Sequence, residues 1–230
     1  MSANISLPHE IQSSRTAGLT ARQRVPLVMA RLAELYPDSR TALDFASPFQ
    51  LLIATILSAQ CTDKRVNMVT PALFARFPTP YVFADAKLEE IEELIRSTGF
   101  FRNKARNIRG ACEAIVANHK GEVPGTIEEL VALPGVGRKT ANVVLGDGFG
   151  VTGITVDTHV GRLSRRLGFT RKWDPVKVEQ VMNKLVPRAD WTRFSHELIL
   201  HGRAICASRK PRCEACALAD ICPKVGVAKK

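Results

Sequence analysis

Apolar residues recur along this chain at intervals of three and four, the spacing that lines one face of a helix, and sustained strict alternation is absent. Val25 to Tyr36 is the first such run. Ser47-Pro48-Phe49-Gln50 reads as a capping box with proline at the first helical position. It opens an apolar helix from Phe49 to Ser58 that is too short to cross a membrane. Further helices are expected at Asp63 to Phe77, at Leu88 to Thr98 with Gly99 as the stop, and at Asn103 to His119 with Gly121 as the stop. Thr126 and Glu129 make a second box ahead of Ile127 to Ala132. Asp157 stands where an N-cap belongs before a segment that runs to Leu167 and stops at Gly168. Asp174-Pro175 opens a helix to about Leu185, and a last one runs from Trp191 to Ile205. Residues 1 to 19 are polar and read as a flexible tail without the apolar core of a secretion signal. The fold class is therefore all-α, with no repeat of solenoid length.

Between the box at Thr126 and the cap at Asp157 lies Leu133-Pro134-Gly135-Val136-Gly137-Arg138-Lys139. Two glycines one residue apart, with helical segments on both sides, predict a helix-hairpin-helix. The first amides of the second helix lack intrahelical partners, and with the positive end of the helix dipole behind them they suit phosphate. Lys139 would hold a primary amine beside it. A nucleotide-binding phosphate loop is excluded, because Arg138 and Leu133 occupy the positions that must be glycine. A structural turn and a non-catalytic grip on DNA both remain open for the hairpin, and a plain helix cap remains open for Asp157.

Cys206, Cys213, Cys216 and Cys222 are four thiols within seventeen residues. A disulfide framework does not suit a chain of 230 residues without a secretion signal. Four cysteines can close a tetrahedral zinc site or hold an iron-sulfur cluster, and their spacing leaves both open. Cys61 and Cys112 stand outside this run and read as buried thiols. His196 and His201 resemble a zinc protease pair, but they are five apart and so lie on different helical faces.

Charge adds a partner. Thirty-three Lys and Arg stand against twenty-two Asp and Glu, a net charge of +11 that favours a polyanion. Lys104, Arg106, Arg109, Arg138, Lys139, Arg209, Lys210 and Arg212 sit beside the motifs and are expected to face it.

Together these motifs, with Leu-Ser-Ala-Gln at 57 to 60, Val-Asp-Thr-His at 156 to 159 and His-Gly-Arg at 201 to 203, resemble the endonuclease III family of DNA repair glycosylases from about Thr20 to Cys222. The resemblance implies a helix-hairpin-helix glycosylase fold with two helical domains flanking a DNA-binding cleft. One is a six-helix domain over residues 41 to 151. The other combines residues 20 to 40 with 152 to 230 and carries a four-iron, four-sulfur cluster on the four cysteines. By the same resemblance Lys139 is the catalytic amine and Asp157 the catalytic carboxylate. Gln60 plugs the stack where a damaged nucleotide is flipped out, and Phe100 with Phe101 forms a wedge on the opposite side. Gly135, Gly137, Arg138, Arg209, Lys210 and Arg212 meet the DNA backbone.

The implied function is a DNA glycosylase and abasic-site lyase of base excision repair, acting as a cytoplasmic monomer on double-stranded DNA with damaged bases or abasic sites. Oxidised pyrimidines are the expected lesions, pyrimidine dimers the alternative, and a non-enzymatic DNA-binding protein the alternative of another class. A lysine in water has a pKa of about 10.4. Attack therefore requires an environment that disfavours the ammonium, and partial burial together with the helix N-terminus is expected to supply it.

Overall fold

The computed structural model describes residues 18 to 228, so the expected tail lies, up to residue 17, outside the described residues. The described chain is helical, and among its residues there is no strand. The helices are α1 (Ala21–Leu35), α2 (Pro48–Leu57), α3 (Asp63–Arg76), α4 (Pro80–Ala84), α5 (Leu88–Ile95), α6 (Phe101–His119), α7 (Ile127–Val131), α8 (Arg138–Val143), α9 (Thr158–Arg166), α10 (Pro175–Leu185) and α11 (Trp191–Ala204). None among the described residues is long and apolar enough to cross a membrane.

The caps explain most of these boundaries. Ser47 Oγ accepts from the Gln50 amide at 3.2 Å, but the Gln50 side chain reaches one residue further back than a box requires and accepts from Ala46 N at 2.8 Å. At Thr126 the hydroxyl accepts from Glu129 N and donates to the Glu129 carboxylate at 2.6 Å. The complete reciprocal box belongs to Thr20 and Gln23 at the start of α1, where the glutamine takes the Thr20 amide at 2.9 Å. Helix α4, which periodicity does not reveal, carries the same signature as α2, since Thr79 caps it and Pro80 stands at its first position. Five residues are too few to display a hydrophobic stripe.

Buried apolar side chains gather into two clusters. The first runs in sequence from Leu43 to Leu145 and is centred on α2, where Leu51 to Leu57 is buried continuously. The second joins Val25, Val28 and Leu32 of α1 to residues from Ile154 to Ile221. The pairing of α1 with α11 closes this second cluster around the two ends of the described chain.

The boundary between the clusters is polar. Asn142 donates to Ile154 O at 3.1 Å, the Gly153 amide donates to Thr192 Oγ1 at 3.3 Å, and His196 Nε2 meets Asp147 at 3.0 Å. Beyond Val143 the helix relaxes into a π-turn over Val144–Gly148. A Cβ on Gly146 would lie 2.7 Å from Thr192 Oγ1, so glycine is what lets this turn press against α11.

Candidate active site

The hairpin is anchored by its apolar residues. Leu133 and Val136 are buried in the first cluster, and Val136 N donates to Leu133 O at 3.1 Å to close the turn. Gly135 takes φ of +74°, and a Cβ there would come within 2.7 Å of Asn107 Cβ, so both conformation and space demand glycine. Gly137 differs. Its backbone is extended at φ −90° and ψ 172°, and a Cβ would meet nothing within 4 Å. Of the two glycines that predict the hairpin, only Gly135 is required by its conformation and surroundings. Gly137 is the N-cap of α8 and offers no side-chain bond to it, which leaves the first amides of α8 uncapped from within.

Lys139, in that first turn, is exposed. The partial burial expected for it is absent in the free chain, because the hairpin projects it into an open cleft. Asp157, half-buried at the start of α9, also opens on that cleft. Its Oδ1 accepts from His159 N and Val160 N, both at 2.8 Å, so the helix-cap reading is correct as far as that oxygen goes. The other carboxylate oxygen makes no hydrogen bond among the described residues. Lys139 and Asp157 line one cavity of about 430 Å³ together with Thr158, Gly161, Arg165 and Trp173. They meet again in a narrower recess with Ser58, Asp63, Thr155, His196 and Arg203. The amine comes from the hairpin at the edge of the first cluster and the carboxylate from the second.

Two loop tips of the first cluster carry a strained backbone. Gln60 adopts φ of +52° and Phe100 φ of +49°, the left-handed region that non-glycine residues seldom occupy. Both are exposed, Phe100 to 66%. Phe101 instead tucks against the first cluster with Arg96 and Arg102 beside its ring, so of the two phenylalanines only Phe100 projects. Lys104 ties the loops together. Its ammonium donates to Leu57 O and Thr98 O, both at 2.8 Å, just before the two tips. Lys104 is buried, which pushes its pKa down, and it does not belong with the surface cations where charge alone had put it.

The remaining cations divide. Arg138 is held by Glu179 of α10 through two bonds of 2.8 Å, a clamp from the hairpin to the second cluster. Arg109 pairs with Glu113 at 3.2 Å, and Arg106 is exposed. Arg209 and Lys210 are exposed on the loop between Cys206 and Cys213, whereas Arg212 turns back to donate to Ala204 O.

The four cysteines of the C-terminal run are half-buried thiols. Burial pushes the Cys216 and Cys222 thiols up, and the other sulfurs add to the effect, which sets the four within electrostatic reach of one another. Two sulfurs already have donors, Arg166 Nη1 to Cys206 at 3.3 Å and Lys224 N to Cys222 at 3.4 Å, and His201 Nε2 lies 3.3 Å from Cys216. Among the described residues no three ligand-type side chains gather tightly enough for one metal ion.

Spacing could not reveal Arg166 and His201 as partners of sulfur. His201 is also met by the Tyr36 hydroxyl at 3.1 Å, and burial lowers its pKa to about 4. His196 and His201 go to different partners, as five-residue spacing requires. Cys112 is buried, its thiol pushed up to about 12, and Cys61 is half-buried beside Gln60.

Residues 53 to 188 match the HhH-GPD superfamily of base excision DNA repair proteins. Endonuclease III of Synechocystis sp. is 58% identical over 203 residues, covering 88% of this chain and 93% of the relative. Endonuclease III of Escherichia coli K12 is 44% identical, covering 85% and 92%. The solved structure of a trapped endonuclease III–DNA covalent intermediate superposes with a TM-score of 0.83 at 45% identity, over 88% of this chain and 96% of that one.

Proposed function

The chain belongs to the HhH-GPD superfamily of base excision DNA repair proteins and within it to the endonuclease III family, and from that premise we propose that Lys139 is its nucleophile and Asp157 its catalytic carboxylate. It is a bifunctional DNA glycosylase and abasic-site lyase. The observation that carries the residue assignment is the opening of both side chains, from two different clusters, onto one cleft.

The chemistry follows from what those groups can do. A nucleotide extruded from the duplex brings C1′ to the amine. The nitrogen of Lys139 bonds to C1′, the glycosidic bond breaks, and its electron pair leaves with the base, which takes up a proton. The oxygen of Asp157 that is not bound to α9 faces the positive character that grows at C1′ and can receive the proton the amine sheds. Opening of the sugar gives an imine, loss of a C2′ proton follows, and the 3′ C–O bond breaks to release phosphate. DNA lying over the open cleft supplies the burial that Lys139 lacks in the free chain.

Gln60 and Phe100, exposed on strained tips, would fill the space the nucleotide leaves, offsetting an unstacking cost of a few kcal/mol per step. Gly135, Gly137 and the uncapped amides of α8 would meet one phosphate run, and Arg209 and Lys210 another. Arg138 and Arg212 already have protein partners and would position elements, while Phe101 supports Phe100 from within.

The two clusters are read as two domains, 41 to 151 and 20 to 40 with 152 to 230. Cys206, Cys213, Cys216 and Cys222 would hold a four-iron, four-sulfur cluster, which supplies structural cross-linking. Donors to the sulfurs of Cys206 and Cys222 suit thiolates, the form in which four cysteines would hold such a cluster. Oxidised pyrimidines are the proposed lesions. The site is complete in one chain, which supports action as a monomer on duplex DNA, in the cytoplasm of a bacterium as its relatives suggest.

Borohydride should trap a covalent complex with DNA carrying thymine glycol or an abasic site, and Lys139→Ala should abolish it. An undiminished adduct in that variant overturns the assignment. Nicking of pyrimidine-dimer DNA in preference to thymine glycol overturns the lesion class alone.

A further inference from the structure

Trp173, in the segment between α9 and α10, is 78% exposed. Exposure of so large an apolar ring at the edge of a functional cleft calls for an occupant. The ring is not free to wander. The Arg165 guanidinium lies 3.8 Å from its centroid and covers one face, leaving the other open.

Arg165 differs from its neighbours on α9. Arg162 donates to Cys206 O and Gly202 O, and Arg166 to Ala207 O and Ser208 O, so both are committed to the cysteine loop. The Arg165 side chain makes no hydrogen bond or ion pair among the described residues, and burial with the charges of those two arginines pushes its pKa down. An anion at that guanidinium would relieve the crowding.

The position is also specific. The cavity that holds Lys139 and Asp157 shares Thr158, Arg165 and Trp173 with a second cavity of about 360 Å³ that reaches Ser208. A strand whose reacting sugar sits at Lys139 and whose backbone runs toward the cysteine loop would pass this ring, which lines both cavities.

We propose that Trp173 and Arg165 form a second binding site for the nucleotide next to the extruded one, on the side of the cysteine loop, with the open indole face against the nucleoside and the guanidinium at its phosphate. The inference rests on the DNA reading above. It gives the chain a contact that depends on aromatic surface as well as charge, the combination that grips unstacked nucleic acid without reading its sequence.

The sequence has two tryptophans, and Trp191 is half-buried with its indole N–H donating to Val186 O at 2.9 Å, so a Trp191→Phe variant reports on Trp173 alone. Titration of that variant with duplex carrying an uncleavable tetrahydrofuran abasic analogue should quench its emission. In steady-state nicking of abasic duplex, Trp173→Ala should raise KM about tenfold and leave kcat within about twofold, with Trp173→Phe retaining most of the affinity. Unchanged emission at saturating DNA, or a wild-type KM in Trp173→Ala, overturns the proposal even if nicking is intact. A joint loss of kcat and melting temperature in that variant overturns it too, since that marks a structural role. If the wild-type chain nicks no lesion while the duplex still quenches Trp173, the enzyme reading fails and this contact stands.

Discussion

Lys104 and Lys139 sit on helices of the same cluster, each a few residues after a glycine, and the chain uses them in opposite ways. Lys104 is buried, and two carbonyls occupy its ammonium. Lys139 is exposed at an uncapped helix start. Burial lowers the Lys104 pKa, so a perturbed lysine identifies structure here rather than reactivity. What the proposed reactive groups share is bonding capacity left unused at a cleft. Asp157 lies between the extremes, with one oxygen committed to α9 and the other unbonded.

That intermediate position gives the largest expected effect. Asp157→Asn keeps a capping side chain, so the melting temperature should hold while kcat falls about a hundredfold or more and DNA affinity stays within about threefold. A variant that melts early yet turns over normally when folded would place Asp157 with Lys104, as structure. Lys104→Met should remove about 2–5 kcal/mol of stability by orphaning two buried carbonyls, with the borohydride adduct still forming below the lowered melting point. Loss of the adduct at undiminished stability would break the contrast between the two lysines.

The smallest effect concerns Glu197 of α11, a buried carboxyl whose oxygens have no hydrogen-bond partner among the described residues. Burial pushes it up to about 7, against the pull of Arg193 at 3.6 Å and with the push of Asp190. The folded chain then holds a proton that the unfolded chain releases at lower pH. Its contribution is present at acid pH and is lost as pH rises from the ordinary carboxylate range through about 7. Thermal melts across that window should show stability falling as pH rises, and Glu197→Gln should flatten the slope. A slope that survives the substitution assigns it to another group.

Long helices were legible because each buries one face, and three-to-four spacing records that directly. Helix α4 was not, since it announces itself by Thr79 and Pro80 alone, and neither was the π-turn, which needs glycine at 146 because Thr192 lies opposite. The hairpin was legible through Gly135, whose φ and closeness to Asn107 are local demands that glycine meets, while at Gly137 the chain itself makes no such demand.

The sequence alone determined the helical class, the caps, the hairpin, the run of four cysteines and the residue types that the chemistry requires. Only the tertiary structure decided which lysine is buried, that Phe100 projects and Phe101 does not, that Arg138 is clamped by Glu179, and that Lys139, Asp157 and Trp173 share a cleft. The reason is physical. Propensity and capping act within a few residues of chain, whereas exposure, pairing and proximity between the two clusters are set by packing between segments that the sequence keeps far apart.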